Sequence, residues 1–245
     1  MARYFLEVAY KGTRFSGFQI QENATTIQAE IENALQLVQR QQVLLTGSSR
    51  TDAGVHAWQN FFHFDFDQPL HPQLQYKLNA ILPRDIVVKH IRHMHDNAHA
   101  RFDALSREYI YKIHKFKDPF LQDTSYYFPY HLNLDLLKEG AALIKEQTNF
   151  YAFAKTNSQV KNYNCTIKRS QWLIEGETLM YNIEANRFLR GMVRLITGSL
   201  LKLGREKITL PQLKDFFSKE VKSGYSVPSQ GLYLKSVNYP EGYFK

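Results

Sequence analysis

The stretch Gly47-Ser48-Ser49-Arg50-Thr51-Asp52-Ala53-Gly54-Val55-His56 gathers a guanidinium, hydroxyls, a carboxylate and an imidazole into one short polar segment. Val43-Leu44-Leu45 precedes it and Phe61-Phe62-His63-Phe64-Asp65-Phe66 follows. A turn held between two strands is where a rigid scaffold presents reactive groups. Asp52 brings the carboxylate of the segment, and the plain structural reading makes it a turn aspartate that bonds its own backbone. Ser48 or Ser49 with His56 and Asp52 would suit a hydrolase, but the Gly-x-Ser-x-Gly elbow that presents such a serine is absent.

Other chemistry is less well supplied. His90, His93, His95 and His99 have a spacing that could put two imidazoles on one face of a strand, yet no carboxylate or thiolate completes an obvious ligand set. The residues are read as surface or partner-facing histidines, and no metal is expected. Gly12 to Gly17 lacks the Gly-Lys-Ser/Thr ending of a phosphate loop. Cys165 is a lone cysteine, which excludes internal disulfides and multi-thiolate metal sites and fits a reducing compartment.

The elements that must position these groups follow from periodicity. Arg3 to Tyr10 reads as a strand, and Thr25 and Gln28 have capping-box spacing ahead of a helix with Ile27, Ile31, Ala34, Leu35 and Val38 on one face. Strands Val43 to Thr46 and Asn60 to Asp67 are expected to flank the polar segment. A short helix follows Pro72 through Leu74, Leu78 and Ile81, and Ile86 begins another strand. The second half has a similar order. A strand from Glu108 to Lys115 places Tyr109, Tyr111 and Ile113 on one face. A helix runs from Asn133 past Leu137, Ala141 and Ile144, and Thr166 to Ile174 pairs with Thr178 to Ala185 around Glu175-Gly176-Glu177. A helix from Phe188 to Leu203 and a strand from Leu232 to Asn238 complete the set. Both halves fit the ferredoxin-like order, with a boundary near Ala104 (1–104 and 105–245).

The helix from Phe188 carries an apolar stripe through Met192, Leu195, Ile196, Ser199, Leu200 and Leu203. Arg194 lies off that stripe, between Gly191 and Gly198, whose missing side chains let another element come close. Arg187 and Arg190 are expected on the same face as Arg194, where they either touch phosphates of a polyanionic partner or are solvated.

The whole chain sets the class. Its 245 residues carry a formal net charge of +8, which suits a polyanionic partner such as nucleic acid. The 44% hydrophobic content is that of a globular protein. No apolar run approaches the roughly 20 residues that span a bilayer, and Met1 to Val8 reads as a strand rather than a signal peptide. The expectation is a soluble, cytoplasmic protein.

Arg50-Thr51-Asp52-Ala53-Gly54-Val55-His56 resembles the catalytic loop of tRNA pseudouridine synthases of the TruA family. His99-Ala100-Arg101-Phe102, Arg107-Glu108-Tyr109-Ile110-Tyr111, Asn186 to Arg194, Gly198-Ser199-Leu200 and Gly231-Leu232-Tyr233-Leu234 are similar to that family's later blocks and occur in its order. The resemblance implies an α+β fold of two ferredoxin-like (RRM-like) halves whose antiparallel sheets join around a central catalytic cleft. It implies a homodimer acting on the anticodon arm of tRNA, at uridines 38, 39 and 40, without a cofactor. Asp52 would be the nucleophile and Arg194 its ion-pair partner. Tyr109 would stack on the extruded uracil and could help move a proton, and Arg50 would fill the place of the flipped base. His56, Arg187 and Arg190 would be further substrate contacts. Two departures stand out: Ser49, where glycine commonly precedes the arginine, and the Asn- and Lys-rich stretch from Phe150 to Asn164. A non-catalytic RNA-binding protein with two RRM-like sheets is the rival of another class, although no clear RNP-like aromatic signature is present.

Overall fold

The computed structural model describes residues 1–156, 160, 162–219 and 221–244. In chain order the elements are β1 (Ala2–Tyr10), α1 (Ile27–Gln39), β2 (Thr46–Gly47), β3 (His56–Phe66), α2 (Leu74–Ile81), β4 (Ile86–Met94), β5 (Ser106–His114), β6 (Tyr126–Tyr127), α3 (Leu134–Glu146), β7 (Ile167–Glu175), β8 (Thr178–Ala185), α4 (Met192–Gly204), α5 (Leu210–Ser218) and β9 (Leu232–Asn238). The fold is α+β with mostly antiparallel strand pairs. The chain divides into two compact units, one formed by Met1–Leu105 with the stretch from Tyr233 onward, the other by Ser106–Leu232. The expected half 105–245 therefore loses its last strand. β9 pairs in parallel with the start of β3, His56 with Tyr233 and Ala57 with Leu234, so the C-terminal stretch belongs to the first unit.

In the first unit the strands run β4-β1-β3, with β2 paired to β3. Phe61 and Phe62 point to opposite faces of β3, and both faces are covered. Phe62 meets Phe18 at 5.0 Å. Phe61 stacks on Phe244 at 5.1 Å and meets Tyr239 edge-on at 5.3 Å, while Phe5 of β1 contacts Tyr239, Tyr243 and Phe244. The C-terminal aromatics are held there by hydroxyls: Tyr239 donates to the Ala100 carbonyl at 2.5 Å and Tyr243 to Asp103 Oδ2 at 2.6 Å. Two boundaries differ from expectation. Thr26 rather than Thr25 caps α1, accepting the Ala29 N–H at 3.3 Å, because Gln28 turns its amide to the Leu45 carbonyl at 3.0 Å instead of back to the cap. The strand before the polar segment shrinks to Thr46–Gly47, and β3 begins at His56 instead of Asn60.

In the second unit the strand order is β5-β8-β7, with β6 parallel to the end of β5. Asn133 caps α3 by accepting the N–H groups of Asp135 and Leu136, both at 3.2 Å. α5 was not expected from periodicity, although Thr209 and Gln212 form a complete capping box at its start. The helix expected from Phe188 starts at Met192. Gly191, at φ +72° and ψ −1°, is its left-handed N-cap, a conformation that breaks the helix where the apolar spacing reads through. Of the stretch 150–164, residues 157–159 and 161 lie outside the described residues.

The first unit buries a histidine in its neutral form. His63 accepts the Ala100 N–H on Nδ1 at 3.2 Å and packs edge-on against His99 at 4.6 Å. Burial, then the nearby His99 and Arg3, pushes its pKa down to about 4, against weaker opposition from Asp65 and Asp103. An unfolded histidine takes up its proton near 6.5, so between these values the unfolded chain binds more protons than the folded one. Stability should then fall as the pH drops from about 6.5 towards about 4. Thermal unfolding across that range should show a smaller loss in His63→Gln than in the wild type.

Candidate active site

The loop between β2 and β3 is fixed from beneath by one amide. Asn60 is 0% exposed, in a strand whose next residues are Phe61, Phe62, His63 and Phe64. Its Oδ1 accepts from Ser48 Oγ at 2.7 Å and from the Phe61 N–H at 3.0 Å. Its Nδ2 donates to the Ser49 carbonyl and to Tyr10 Oη, both at 3.2 Å. Tyr10 Oη in turn lies 2.8 Å from Thr51 Oγ1. Burial pushes the Tyr10 hydroxyl up to about 12, against its bonds to Thr51 and Asn60, so it stays protonated. Backbone bonds complete the frame: Ser48 N–H to the Phe61 carbonyl at 2.7 Å, Phe18 N–H to Thr51 at 3.0 Å, and Val55 N–H to Asp52 at 3.1 Å.

Asp52 thus sits on a main chain tied down on both sides, and its residue remains half-buried while Arg50 is exposed. His56 differs from expectation. It is 1% exposed, its Nδ1 accepts the Gly12 N–H at 3.1 Å, and its ring stacks on Tyr233 at 4.5 Å. It supports the exit of the loop from within the unit. Ser48 directs its hydroxyl to Asn60 Oδ1 at 2.7 Å. Asn60 and Tyr10 were missed by sequence reasoning; the signal was a single amide inside the run Asn60-Phe61-Phe62.

In the second unit Tyr109 is 9% exposed on β5. The register of that strand is set by a charged network. Glu108 stands opposite Glu184 on β8, and Arg169 of β7 reaches both, at 2.8 and 3.7 Å. Asn182 donates to Glu108 at 2.9 Å and Ser106 to Glu184 at 2.6 Å. Like charges directly opposite would destabilise the pair, and the arginine reverses that.

Tyr109 meets Phe188 edge-on at 5.1 Å. Phe188 belongs to the loop 186–191, which Asn186 shapes by accepting the N–H groups of Thr166 at 2.9 Å and Arg187 at 2.8 Å. Arg187 and Arg190 are exposed in this loop, ahead of α4, so they share no helix face with Arg194. Arg194 lies in the first turn of α4 and donates from Nε to the Val227 carbonyl at 2.7 Å.

Among the described residues no group of three or more histidine, cysteine or acidic side chains is placed to hold a metal ion. His90, His93 and His95 are exposed, while His99 Nδ1 accepts the N–H groups of Arg101 and Phe102 at 3.1 and 3.2 Å. Among the same residues no helix is long and apolar enough to cross a membrane.

A family model described as tRNA pseudouridine synthase matches residues 7–103 and 147–240. Asp52 and Arg194 fall within the matched stretches and Tyr109 between them. A protein of Parabacteroides distasonis named tRNA pseudouridine synthase A is 41% identical over 248 residues, covering 100% of this chain and 98% of its own. One of the same name from Porphyromonas gingivalis is 39% identical over 251 residues and covers 100% of each chain. One from a Geobacillus strain is 35% identical, over 95% of this chain and 96% of its own.

The burial contrast within the loop can be measured. His56→Ala leaves the Gly12 N–H without its acceptor and removes the stack on Tyr233, and should lower unfolding stability by about 2–3 kcal/mol. Arg50→Ala should stay within about 0.5 kcal/mol of the wild type. Urea denaturation of both variants checks the pair.

Proposed function

We propose that this chain, which belongs to the tRNA pseudouridine synthase A family, an isomerase family, converts uridine to pseudouridine at positions 38, 39 and 40 of the tRNA anticodon arm. The observation that carries the catalytic assignment is the setting of Asp52: a half-buried carboxylate on a loop whose main chain is tied to Asn60, Phe18 and Val55.

The reaction breaks the bond between the sugar C1′ and N1, turns the base, and joins C1′ to C5 with loss of the C5 proton. It is redox-neutral and imports no group. It does need a nucleophile that bonds covalently and then leaves, whether it attacks the sugar or the base, and the Asp52 carboxylate meets that need. In this reading Asp52, Tyr109 and Arg194 serve one uridine. Arg194 is read as the ion-pair partner of the nucleophile. Tyr109, supported by Phe188, stacks on the extruded base, and Arg50, exposed beside Asp52, takes the place that base vacates in the RNA. The exposed Arg187 and Arg190 contact phosphates. The functional unit is a homodimer in the cytoplasm, and each unit is read as ferredoxin-like. The first has the order β4-β1-β3 with β2 on β3, and the second carries β5-α3-β7-β8-α4.

Asp52→Asn keeps the side chain's shape but replaces the carboxylate with a far poorer nucleophile. It should bind tRNA with roughly wild-type affinity and form no pseudouridine in a single-turnover, tritium-release assay. Substantial conversion by this variant would remove Asp52 from the mechanism. Arg187→Ala and Arg190→Ala should each weaken binding and lower the salt slope of log K by about one unit, with a smaller effect on turnover at saturating tRNA. A variant with an unchanged slope and collapsed turnover would instead place that arginine at the reacting base.

A further inference from the structure

Arg194 does not hold its own orientation. Its Nε donates to the Val227 carbonyl at 2.7 Å, and its own carbonyl accepts the Val227 N–H at 3.3 Å, so one residue of an irregular segment grips it twice. That segment can reach α4 because residue 198 has no side chain: a Cβ on Gly198 would lie 2.3 Å from the Tyr225 carbonyl oxygen and 2.7 Å from Tyr225 Cδ1. Neither distance is possible for a real carbon, and the first involves backbone, which cannot turn aside as a flexible side chain would.

The segment is anchored at both ends. At one end Lys222 donates from Nζ to the carbonyls of Tyr151 at 2.6 Å and Ala154 at 3.1 Å, with the Tyr151 ring centroid 3.7 Å away, and the Ser223 N–H bonds Ala152 at 3.1 Å. At the other end Tyr111 donates its hydroxyl to the Pro228 carbonyl at 2.8 Å. Tyr111 is 0% exposed and stands two residues from Tyr109 on the same face of β5. One strand therefore carries both Tyr109 and the anchor of the segment that aims Arg194.

We propose that residues 222–228 form a clasp that orients the Arg194 guanidinium, with Gly198, Tyr111 and Lys222 as positioning residues for the reaction. The inference rests on the reading of Arg194 under Proposed function. A displaced guanidinium would lose its aim without loss of its charge, and misplacement by about 1 Å can cost about 100-fold in rate.

The test is a double-mutant cycle in single-turnover pseudouridine formation at saturating tRNA, with tRNA affinity and thermal stability measured in parallel. Gly198→Ala should slow the reaction about 100-fold and Tyr111→Phe, which keeps the ring and removes one donor, about 10-fold. Both should leave tRNA affinity unchanged. In an Arg194→Lys background each should cost less than about threefold, because the group they aim is already gone. Equal losses in both backgrounds would overturn the clasp and leave the role of Arg194 standing. Wild-type rates in Arg194→Lys itself would overturn the role of Arg194, and the clasp with it. If Gly198→Ala fails to fold, the Tyr111→Phe cycle alone decides.

Discussion

The amide of Asn60 is the constraint on which the loop carrying Asp52 depends. A loop that carries a reactive carboxylate must be rigid, yet loops lie at the surface because a buried one leaves main-chain polar groups without water. Here the loop base, Ser48, Ser49 and Thr51, is buried. Each unpaired group there would cost about 1–3 kcal/mol. One asparagine removes most of that cost, since its oxygen accepts two bonds and its nitrogen donates two, which fills its whole capacity. Tyr10 passes the network on to Thr51. The network is satisfied throughout, and buried networks are stiff only in that condition. The residue next to it, Asp52, inherits the stiffness through the chain.

The second unit reaches the same end by other means. Its loop 186–191 is exposed at Asn186, Arg187 and Arg190, so water can satisfy what the protein does not, and one side-chain carbonyl at Asn186 gives it shape. The demanding constraint lies in the strand. A one-residue slip of β5 would move Tyr109 to the opposite face, and the network of Glu108, Glu184 and Arg169 opposes such a slip, since each carboxylate meets the guanidinium only in the observed register. Arg194 then depends on contacts far away in sequence, at Val227.

Groups whose meaning is local could be read from the sequence, and groups whose meaning is distant could not. Asp52 and Arg50 in a polar turn, the strands around Glu175-Gly176-Glu177, and the cap at Asn133 all follow from neighbours a few residues apart. The start of β3 at His56 does not. It depends on pairing with Tyr233, at the far end of the chain, so His56 read as a loop residue when it is a buried support. The start of α4 fails for a different reason. Apolar residues at Phe188, Leu189 and Met192 continue the helical period across Gly191, and nothing in the spacing reveals that the glycine is left-handed. Gly198 did signal that another element comes close to the helix, but only the structure names it as Tyr225, and Gly191 shows no such approach. Asn60 was visible as an amide at the head of an aromatic run, without a hint of its four partners.

Exposure therefore divides the candidate groups by task. Arg50, Arg187 and Arg190 are exposed, and long, solvated cations suit a flexible polyanion: they add attraction at little cost in ordering, screened by salt. Asp52, Tyr109 and Arg194 are half-buried or buried and each is held by a separate support: Asn60, the β5 register and Val227. A reaction in which a base leaves its sugar, turns and rejoins cannot rely on substrate rigidity for its geometry, because the reacting base is detached midway. The fixed frame must come from the protein. This accounts for why side chains with no chemical part in the reaction, Asn60 and Tyr111 among them, are buried and hydrogen-bonded, while Arg50, Arg187 and Arg190 are exposed.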